Sequence, residues 1–264
     1  MRLIRFEDAS GQVRMGEQLG PDEARVIRGD VFGSHEVTNE KARVKRLLAP
    51  IEPPNVIAIG LNYQRHAAES GTKVPAFPLV FFKLTTSVVG PGEPIVLPAE
   101  APDEVDYEAE LAVVIGRRAR KVSEADALRY VLGYTCANDV SARDCQIRRD
   151  KQWARAKGFD TFCPLGPCVV IDPAMNPGAL PIRARLSGQV MQDSNTADMI
   201  FSVPRLISYL SYQFTLLPGT VICTGTPEGV GCARKPPVYL KPGDTITIEI
   251  DGIGELSNPV VADR

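Results

Sequence analysis

Val105-Asp106-Tyr107-Glu108-Ala109-Glu110-Leu111-Ala112-Val113-Val114-Ile115-Gly116 reads as a β-strand, because β-branched and aromatic residues are frequent in it and Gly116 stops it. Side chains alternate faces along a strand, so Tyr107, Ala109, Leu111 and Val113 share one face and Asp106, Glu108 and Glu110 the other. Two strand rises put Glu108 and Glu110 roughly 6–7 Å apart on one side. The run Val113-Val114-Ile115 is apolar on both faces and is predicted to be buried. Carboxylates that run into a buried segment repel one another, and their uncompensated burial costs several kcal/mol. A divalent cation with oxygen ligands would offset that cost. The competing reading is an edge strand with a solvated acidic face, and spacing alone does not separate the two.

The chain around this strand has 264 residues, enough for a substantial core in one domain or one domain with a small appendage. It is 44% hydrophobic and 23% charged with a net charge of −2, which argues against a nucleic-acid binder and its basic stripe. The basic clusters at 117–121 and 148–151 read as solvated faces. The 22 glycines and 22 prolines are spread along the chain, which suits many short strands and turns. No apolar run approaches a membrane span, and residues 1–7 have no signal-peptide h-region, so the expectation is a cytoplasmic chain with no membrane partner. The six cysteines fit no zinc spacing and are expected reduced and mostly buried.

Residues 1–50 read as a small β-rich region, with strands near 3–6, 12–15 and 23–26 and a short helix over 40–48; Pro50, Pro53 and Pro54 mark a boundary, and 51–264 forms the main unit. A buried strand at 55–60 runs into Asn62, the expected N-cap of a helix over 63–70 that stops at Gly71. Strands are expected at 79–83, 134–138, 168–171, 182–186 and 221–224. Ser123 caps a helix predicted to reach Gly133 with Leu128, Val131 and Leu132 as its apolar stripe, and residues 145–156 are a further helical candidate. Another helix starts at Ser202, and a hairpin turns at Asp251-Gly252. Many short strands with few helices give a β-dominated α+β fold.

Asp139 follows a largely apolar strand, and Glu108, Glu110 and Asp139 together would make an all-oxygen site for Mg²⁺, Mn²⁺ or Ca²⁺ rather than zinc. Of the two histidines, His35 sits in a polar loop, whereas His66 shares a helical face with Glu69, a general-base arrangement. Lys157 stands in a Gly/aromatic loop, and Lys83 ends an apolar run from which it would pair with an acid or reach a substrate carboxylate. The Gly-rich run 224–231 lacks phosphate-loop and Rossmann spacing; it fits either a loop closing over a small anion or a plain turn. No Gly-x-Ser-x-Gly elbow is present.

Taken in order, these pieces resemble the fumarylacetoacetate hydrolase family from about residue 55 to the end. The resemblance is carried by 59–69 with its glycine, histidine and glutamate, by Phe81-Phe82-Lys83 with Gly90-Pro91-Gly92, by Asp106-Tyr107-Glu108-Ala109-Glu110-Leu111, by Asn138-Asp139-Val140-Ser141-Ala142-Arg143-Asp144, by Lys157-Gly158-Phe159-Asp160, by Gln192-Asp193-Ser194-Asn195-Thr196 and by Thr224-Gly225-Thr226-Pro227. Leu84 stands where the family often has proline. The resemblance implies a mixed β-sandwich roll, commonly a homodimer. It implies Mg²⁺ or Mn²⁺ on Glu108, Glu110 and Asp139, His66 with Glu69 and Lys157 as catalytic groups, and Lys83, Asp160, Gln192 and Thr226 toward the substrate. The substrate class is a 2-oxo acid, converted through an enolate. Hydrolytic C–C cleavage of an acylpyruvate is the first expectation. Isomerisation of a hydroxyheptadienedioate or hydroxymuconate-type diene from aromatic degradation, and oxaloacetate decarboxylation, are the alternatives. A non-catalytic metal or small-acid binding protein is the rival of a different class.

Overall fold

A computed structural model, describing residues 1–263, places strand Ala109–Ile115 near the middle of an eleven-stranded sheet. It is antiparallel to Val131–Asn138 on one side and to Val221–Cys223 on the other. Beyond Val221–Cys223 lie Val56–Gly60, paired parallel, and the edge strand Leu79–Lys83. Beyond Val131–Asn138 lies Cys163–Val170, which pairs with Arg2–Asp8 and so continues the sheet into the N-terminal strands. A second sheet of five strands is built on Pro181–Leu186 and the hairpin Thr245–Ile250 with Gly254–Ala262. The fold is the expected β-dominated α+β roll of mixed sheets.

The period-2 pattern of the acidic strand explains its position. Leu111, Val113 and Ile115 pack in one apolar cluster with Ile182, Ile246, Ile248 and Leu256 of the second sheet. Ala112 and Val114 face the other way, against Val56, Ala58 and Cys223. Every residue of the strand is buried, so the solvated-edge reading is excluded. Five of the six cysteines are buried and all are free. Among the described residues no helix is long and apolar enough to cross a membrane.

Helix Val203–Gln213 forms as read: the Ser202 hydroxyl accepts from the Arg205 N–H, Pro204 lies in the first turn, and Leu206, Ile207 and Leu210 are buried. Four local expectations are corrected. The helix over 40–48 is instead the end of strand His35–Leu48, because this segment is hydrogen-bonded to Glu23–Gly29 and to Arg2–Asp8; pairing overrides a helix-favouring composition. The element capped by Ser123 is a 3₁₀ helix, Glu124–Tyr130, that ends before Val131, since Val131 and Leu132 enter the strand beside Ala109–Ile115, and Leu128 is exposed. Asn62 does not cap Gln64–Glu69; its side chain bridges Phe201 and the Thr224 carbonyl. The 145–156 candidate splits into a π-type turn, Asp144–Arg149, and Ala154–Lys157.

Candidate active site

The acidic strand breaks at one point, between Val105–Asp106 and Ala109–Ile115, and the site is built around that break. Glu108 lies in the break and Ala109 opens the strand opposite Asn138, and side-chain amides take the N–H groups of both. The Glu108 N–H donates to Asn138 Oδ1 at 3.0 Å and the Ala109 N–H to Gln192 Oε1 at 2.9 Å. The Glu108 carbonyl accepts from the Asp139 N–H at 2.9 Å, which fixes the third acid beside the first. Single oxygens of Glu108, Glu110 and Asp139 all lie within 4.8 Å of one another, and all three residues are buried. The structure thus brings together the three acids named from the sequence.

Three buried cations surround them. Lys157 Nζ donates to Glu108 Oε2 at 2.8 Å and to Asp139 Oδ2 at 2.7 Å. Lys83 Nζ donates to Asp139 Oδ1 and to the Lys157 carbonyl, both at 2.5 Å. Arg143 Nη2 lies 2.7 Å from Glu108 Oε1 and 2.8 Å from Asp106 Oδ2. Burial works against the Glu108 charge, but Lys157 and Arg143 outweigh it and bring the carboxyl down to about 2. Burial lowers the Lys157 ammonium, and Asp139 with Glu108 more than restores it, leaving it above the ordinary lysine value.

Glu110 differs from its neighbours. Its Oε2 accepts one backbone N–H, from Gly225 at 2.8 Å, and among the described residues no ammonium or guanidinium pairs with it. Burial first, then the charges of Asp139 and Glu108, push its carboxyl well above the ordinary carboxylate range. Four buried acids (Asp106, Glu108, Glu110 and Asp139) therefore face three buried cations (Lys83, Arg143 and Lys157). A buried, uncompensated carboxylate beside two others is a site that fits a divalent cation, and the all-oxygen donor set fits Mg²⁺ or Mn²⁺.

Three glycines of the Gly-rich run are turned toward side-chain carboxylates. Its backbone N–H groups hold the chain's own acids: Gly225 holds Glu110, Gly229 holds Glu69 at 2.9 Å, and Gly231 holds Asp106 at 2.8 Å. Gly225 has φ +97°, and a Cβ there would lie 2.7 Å from Asn62 Cβ. Gly225→Ala is expected to destabilise the protein by about 1–3 kcal/mol. It should also weaken Mn²⁺ binding by withdrawing the N–H from Glu110, as checked by thermal melts and Mn²⁺ titration.

A cavity of about 320 Å³ opens beside the acids, lined by His66, Glu108, Arg143, Lys157 and Thr226 among others. His66 Nδ1 is 3.3 Å from Glu69 Oε2, so the dyad expected on helix Gln64–Glu69 exists and faces the site. Three residues expected at the substrate lie elsewhere. Lys83 is sealed beneath Asp139. Gln192 is turned to the backbone: its amide accepts from Ala109 and donates to Thr226 Oγ1 and the Pro227 carbonyl. Asp160 is exposed and lines a separate hollow with Glu100 and Thr161. Two lining residues carry no role in the sequence alone: Arg143, the one cation in Asn138-Asp139-Val140-Ser141-Ala142-Arg143-Asp144, and Trp153, the chain's one tryptophan. Trp153 packs edge-on against Phe81 with ring centroids 5.4 Å apart, and both line the cavity.

A family model described as "Fumarylacetoacetate (FAA) hydrolase C-terminal" matches residues 55–261. A fumarylacetoacetate hydrolase domain-containing protein 2 homolog of Dictyostelium discoideum is 50% identical over 240 residues, spanning 87% of this chain and 77% of that protein. A mitochondrial oxaloacetate tautomerase of Xenopus laevis is 51% identical over 218 residues, 81% of this chain and 68% of that protein. Among solved structures, a 5-carboxymethyl-2-hydroxymuconate delta-isomerase from Mycobacterium smegmatis superposes over 100% of both chains with TM-score 0.88 and 46% identity.

Proposed function

The chain belongs to the fumarylacetoacetate hydrolase family, and from that footing we propose that it is a divalent-metal-dependent enzyme that moves a proton at C3 of a 2-oxo acid, interconverting keto and enol forms. The observation that carries this reading is that His66, paired with Glu69, lines the same cavity as Lys157 and Glu108. Names of similar proteins support it: one is an oxaloacetate tautomerase and another a hydroxymuconate isomerase.

Glu108, Glu110 and Asp139 would hold Mg²⁺ or Mn²⁺. A cation so held supplies electrophilic stabilisation of negative charge that develops on the keto oxygen. Glu69, facing Nδ1, favours the tautomer protonated there and leaves Nε2 as the proton acceptor. Glu69 is itself fixed by the Gly229 N–H, so the imidazole is oriented before substrate arrives. The Lys157 ammonium supplies a donor to a developing oxyanion. The Phe81–Trp153 wall keeps water from this side.

The decisive test is deuterium exchange at C3 of oxaloacetate and of an acylpyruvate, followed by NMR with Mg²⁺ and with chelator. His66→Ala is expected to slow exchange by about 10²–10⁴-fold, the usual worth of a positioned general base, while Mn²⁺ affinity stays within about a factor of three because no metal ligand is touched. Exchange at the unmodified rate in His66→Ala removes the proton-acceptor role.

A second reading, hydrolytic C–C cleavage of an acylpyruvate, is favoured by the room the cavity leaves beyond the acids, along Phe81 and Trp153. In it the same dyad activates water, and the same NMR experiment reports it as release of two acids. We also propose that residues 1–50 form an appendage to a catalytic unit of 51–264, and that the enzyme is a cytoplasmic homodimer.

A further inference from the structure

Helix Gln64–Glu69 carries the His66–Glu69 dyad, yet little within it holds it in place. It has six residues, Tyr63 supplies no side-chain cap, its first turn has no acid, and Ala67 is its one buried residue. Residues 68–74 are exposed. So short a helix is not stable by itself and takes its position from tertiary contacts. Asn62 and Tyr63, both buried, anchor its entry, and the Gly229 N–H holds Glu69 at its end. Between them, among the described residues, its hydrogen bonds to the rest of the protein are made by Arg65.

Asp198 Oδ2 accepts the Arg65 N–H at 3.0 Å, so a carboxylate from the turn Thr196–Asp198 caps a helix that has no cap of its own. The Arg65 guanidinium then spreads over three partners. Nε lies 3.6 Å from Asp198 Oδ1, Nη1 3.1 Å from Glu228 Oε1, and Nη2 donates to Ser194 Oγ at 2.8 Å. Ser194 Oγ donates in turn to Glu228 Oε2 at 3.3 Å, which closes the ring. A single exposed ion pair contributes little. A planar fork that meets two carboxylates and a hydroxyl, on a turn, a loop and a strand, fixes an orientation as well as a charge. Glu228 and Gly229 are adjacent, so one loop grips the helix at both ends, at Arg65 and at Glu69. Arg65 is not among the residues that line the cavity, whereas His66, next to it, is.

We propose that Arg65 is a positioning residue for the proton transfer: its clasp on Asp198, Ser194 and Glu228 holds helix Gln64–Glu69 so that His66 faces the acids, although Arg65 itself touches no substrate. The proposal rests on the proton-acceptor reading of His66 above. A general base acts only within hydrogen-bond reach of the proton it takes, and a displacement of about 1 Å costs on the order of 10²-fold. A helix with one buried residue has little packing to correct such a displacement once the clasp opens. Lysine is no full substitute, because one ammonium on a flexible stem has no fork to span Asp198, Glu228 and Ser194.

Hydrogen exchange of the backbone amides of 64–70, read by mass spectrometry on the Mg²⁺-loaded protein, reports the clasp independently of turnover. Arg65→Met keeps most of the stem and removes the fork; it is expected to speed exchange in this segment by about five- to tenfold. The kcat for proton exchange at C3 of oxaloacetate should fall by about 10–100-fold. KM and Mn²⁺ affinity should stay within about threefold, because neither the cavity wall nor a metal ligand is changed. Arg65→Lys should recover part of kcat, and Glu228→Gln, which opens the clasp from the other side, should lower it. Arg65→Met combined with Glu228→Gln should cost little more than Arg65→Met alone, since both act on one clasp. Unchanged amide exchange in 64–70 overturns the proposal, as do additive losses in the double variant or a loss that appears in KM or Mn²⁺ affinity instead of kcat. An unchanged kcat in Arg65→Met, where His66→Ala does slow the reaction, overturns it as well. Faster amide exchange with a rate that neither Arg65→Met nor His66→Ala alters leaves the clasp standing and sinks the proton-acceptor reading instead.

Discussion

Glu110→Gln is expected to weaken Mn²⁺ binding by more than the roughly 10–100-fold that loss of even an outer-shell partner costs, and at the same time to raise the melting temperature of the chelator-treated protein. The two effects have one cause. Glu110 is buried beside Glu108 and Asp139, with one backbone N–H on Oε2, so its charge is the one the cluster does not neutralise. A glutamine keeps the shape and the Gly225 hydrogen bond and removes the repulsion. The pH dependence fixes the sign. Because the folded-state carboxyl is raised, its contribution to stability is fully present below the unfolded value and is lost as pH rises through the raised one. Glu108 acts oppositely: brought down to about 2, it contributes above the unfolded carboxylate value and is lost only as pH falls toward that figure. The chelated wild type should therefore lose stability between mildly acidic and neutral pH, and the gap to Glu110→Gln should widen over that range. Melts at pH 5 and pH 8 in chelator, with Mn²⁺ titration by electron paramagnetic resonance, make the measurement. A Glu110→Gln protein that melts lower than wild type in chelator contradicts the assignment of Glu110 as the uncompensated charge.

The period-2 alternation that located Glu108 and Glu110 is a property of one strand, and one strand is what a sequence displays directly. It placed both acids on the face of Ala112 and Val114, where they lie. What it did not display is the break at Tyr107 and Glu108, because the groups that satisfy it are side-chain amides from Asn138 and Gln192, distant in the chain. Gln192 looked like a substrate ligand for the same reason: a buried amide committed to the backbone is indistinguishable, residue by residue, from one aimed at a ligand. The glycine run posed a similar problem. Its spacing says that backbone comes close to something, and only the fold reveals that the something is Glu69, Asp106 and Glu110. The helix expected over 40–48 failed through competition of another kind, since Lys41, Arg43 and Lys45 favour a helix only until strands on both sides claim the backbone. Ser202 and Pro204 were legible because caps act within a single turn. The residues themselves raised the acids and the dyad, and the family resemblance gave Lys157 its role; neither could supply the sealed position of Lys83 or the exposed position of Asp160.

Lys157→Met reverses the sign pattern of Glu110→Gln and so separates a charge-balance account of the site from a purely steric one. Lys157 Nζ holds Glu108 Oε2 and Asp139 Oδ2, which are among the oxygens a divalent cation would need. Methionine retains most of the buried stem and removes the charge, leaving Arg143 and Lys83 against four buried acids. Losing one partner of a buried ion pair costs about 3–5 kcal/mol, so the chelator-treated variant should melt well below wild type. Mn²⁺ should recover most of that loss, because a ligand stabilises in proportion to its affinity for the folded state and no ammonium now competes for the two oxygens. The rise in melting temperature on adding Mn²⁺ is thus expected to be larger in Lys157→Met than in wild type. Turnover should nevertheless fall by about 10²–10³-fold, the usual consequence of removing one donor to a developing oxyanion. The ammonium has a second neighbour ready for it, the Phe81 ring, whose centroid is 5.3 Å from Nζ. A lysine that only braces the fold would lose stability with an unchanged response to Mn²⁺ and would regain activity once metal restored the structure. A lysine that shares its carboxylates with a cation and then serves the reaction gives a larger metal response with activity still lost. Weaker Mn²⁺ binding in Lys157→Met would mean instead that the ammonium holds the acids in their ligating arrangement and does not compete for them.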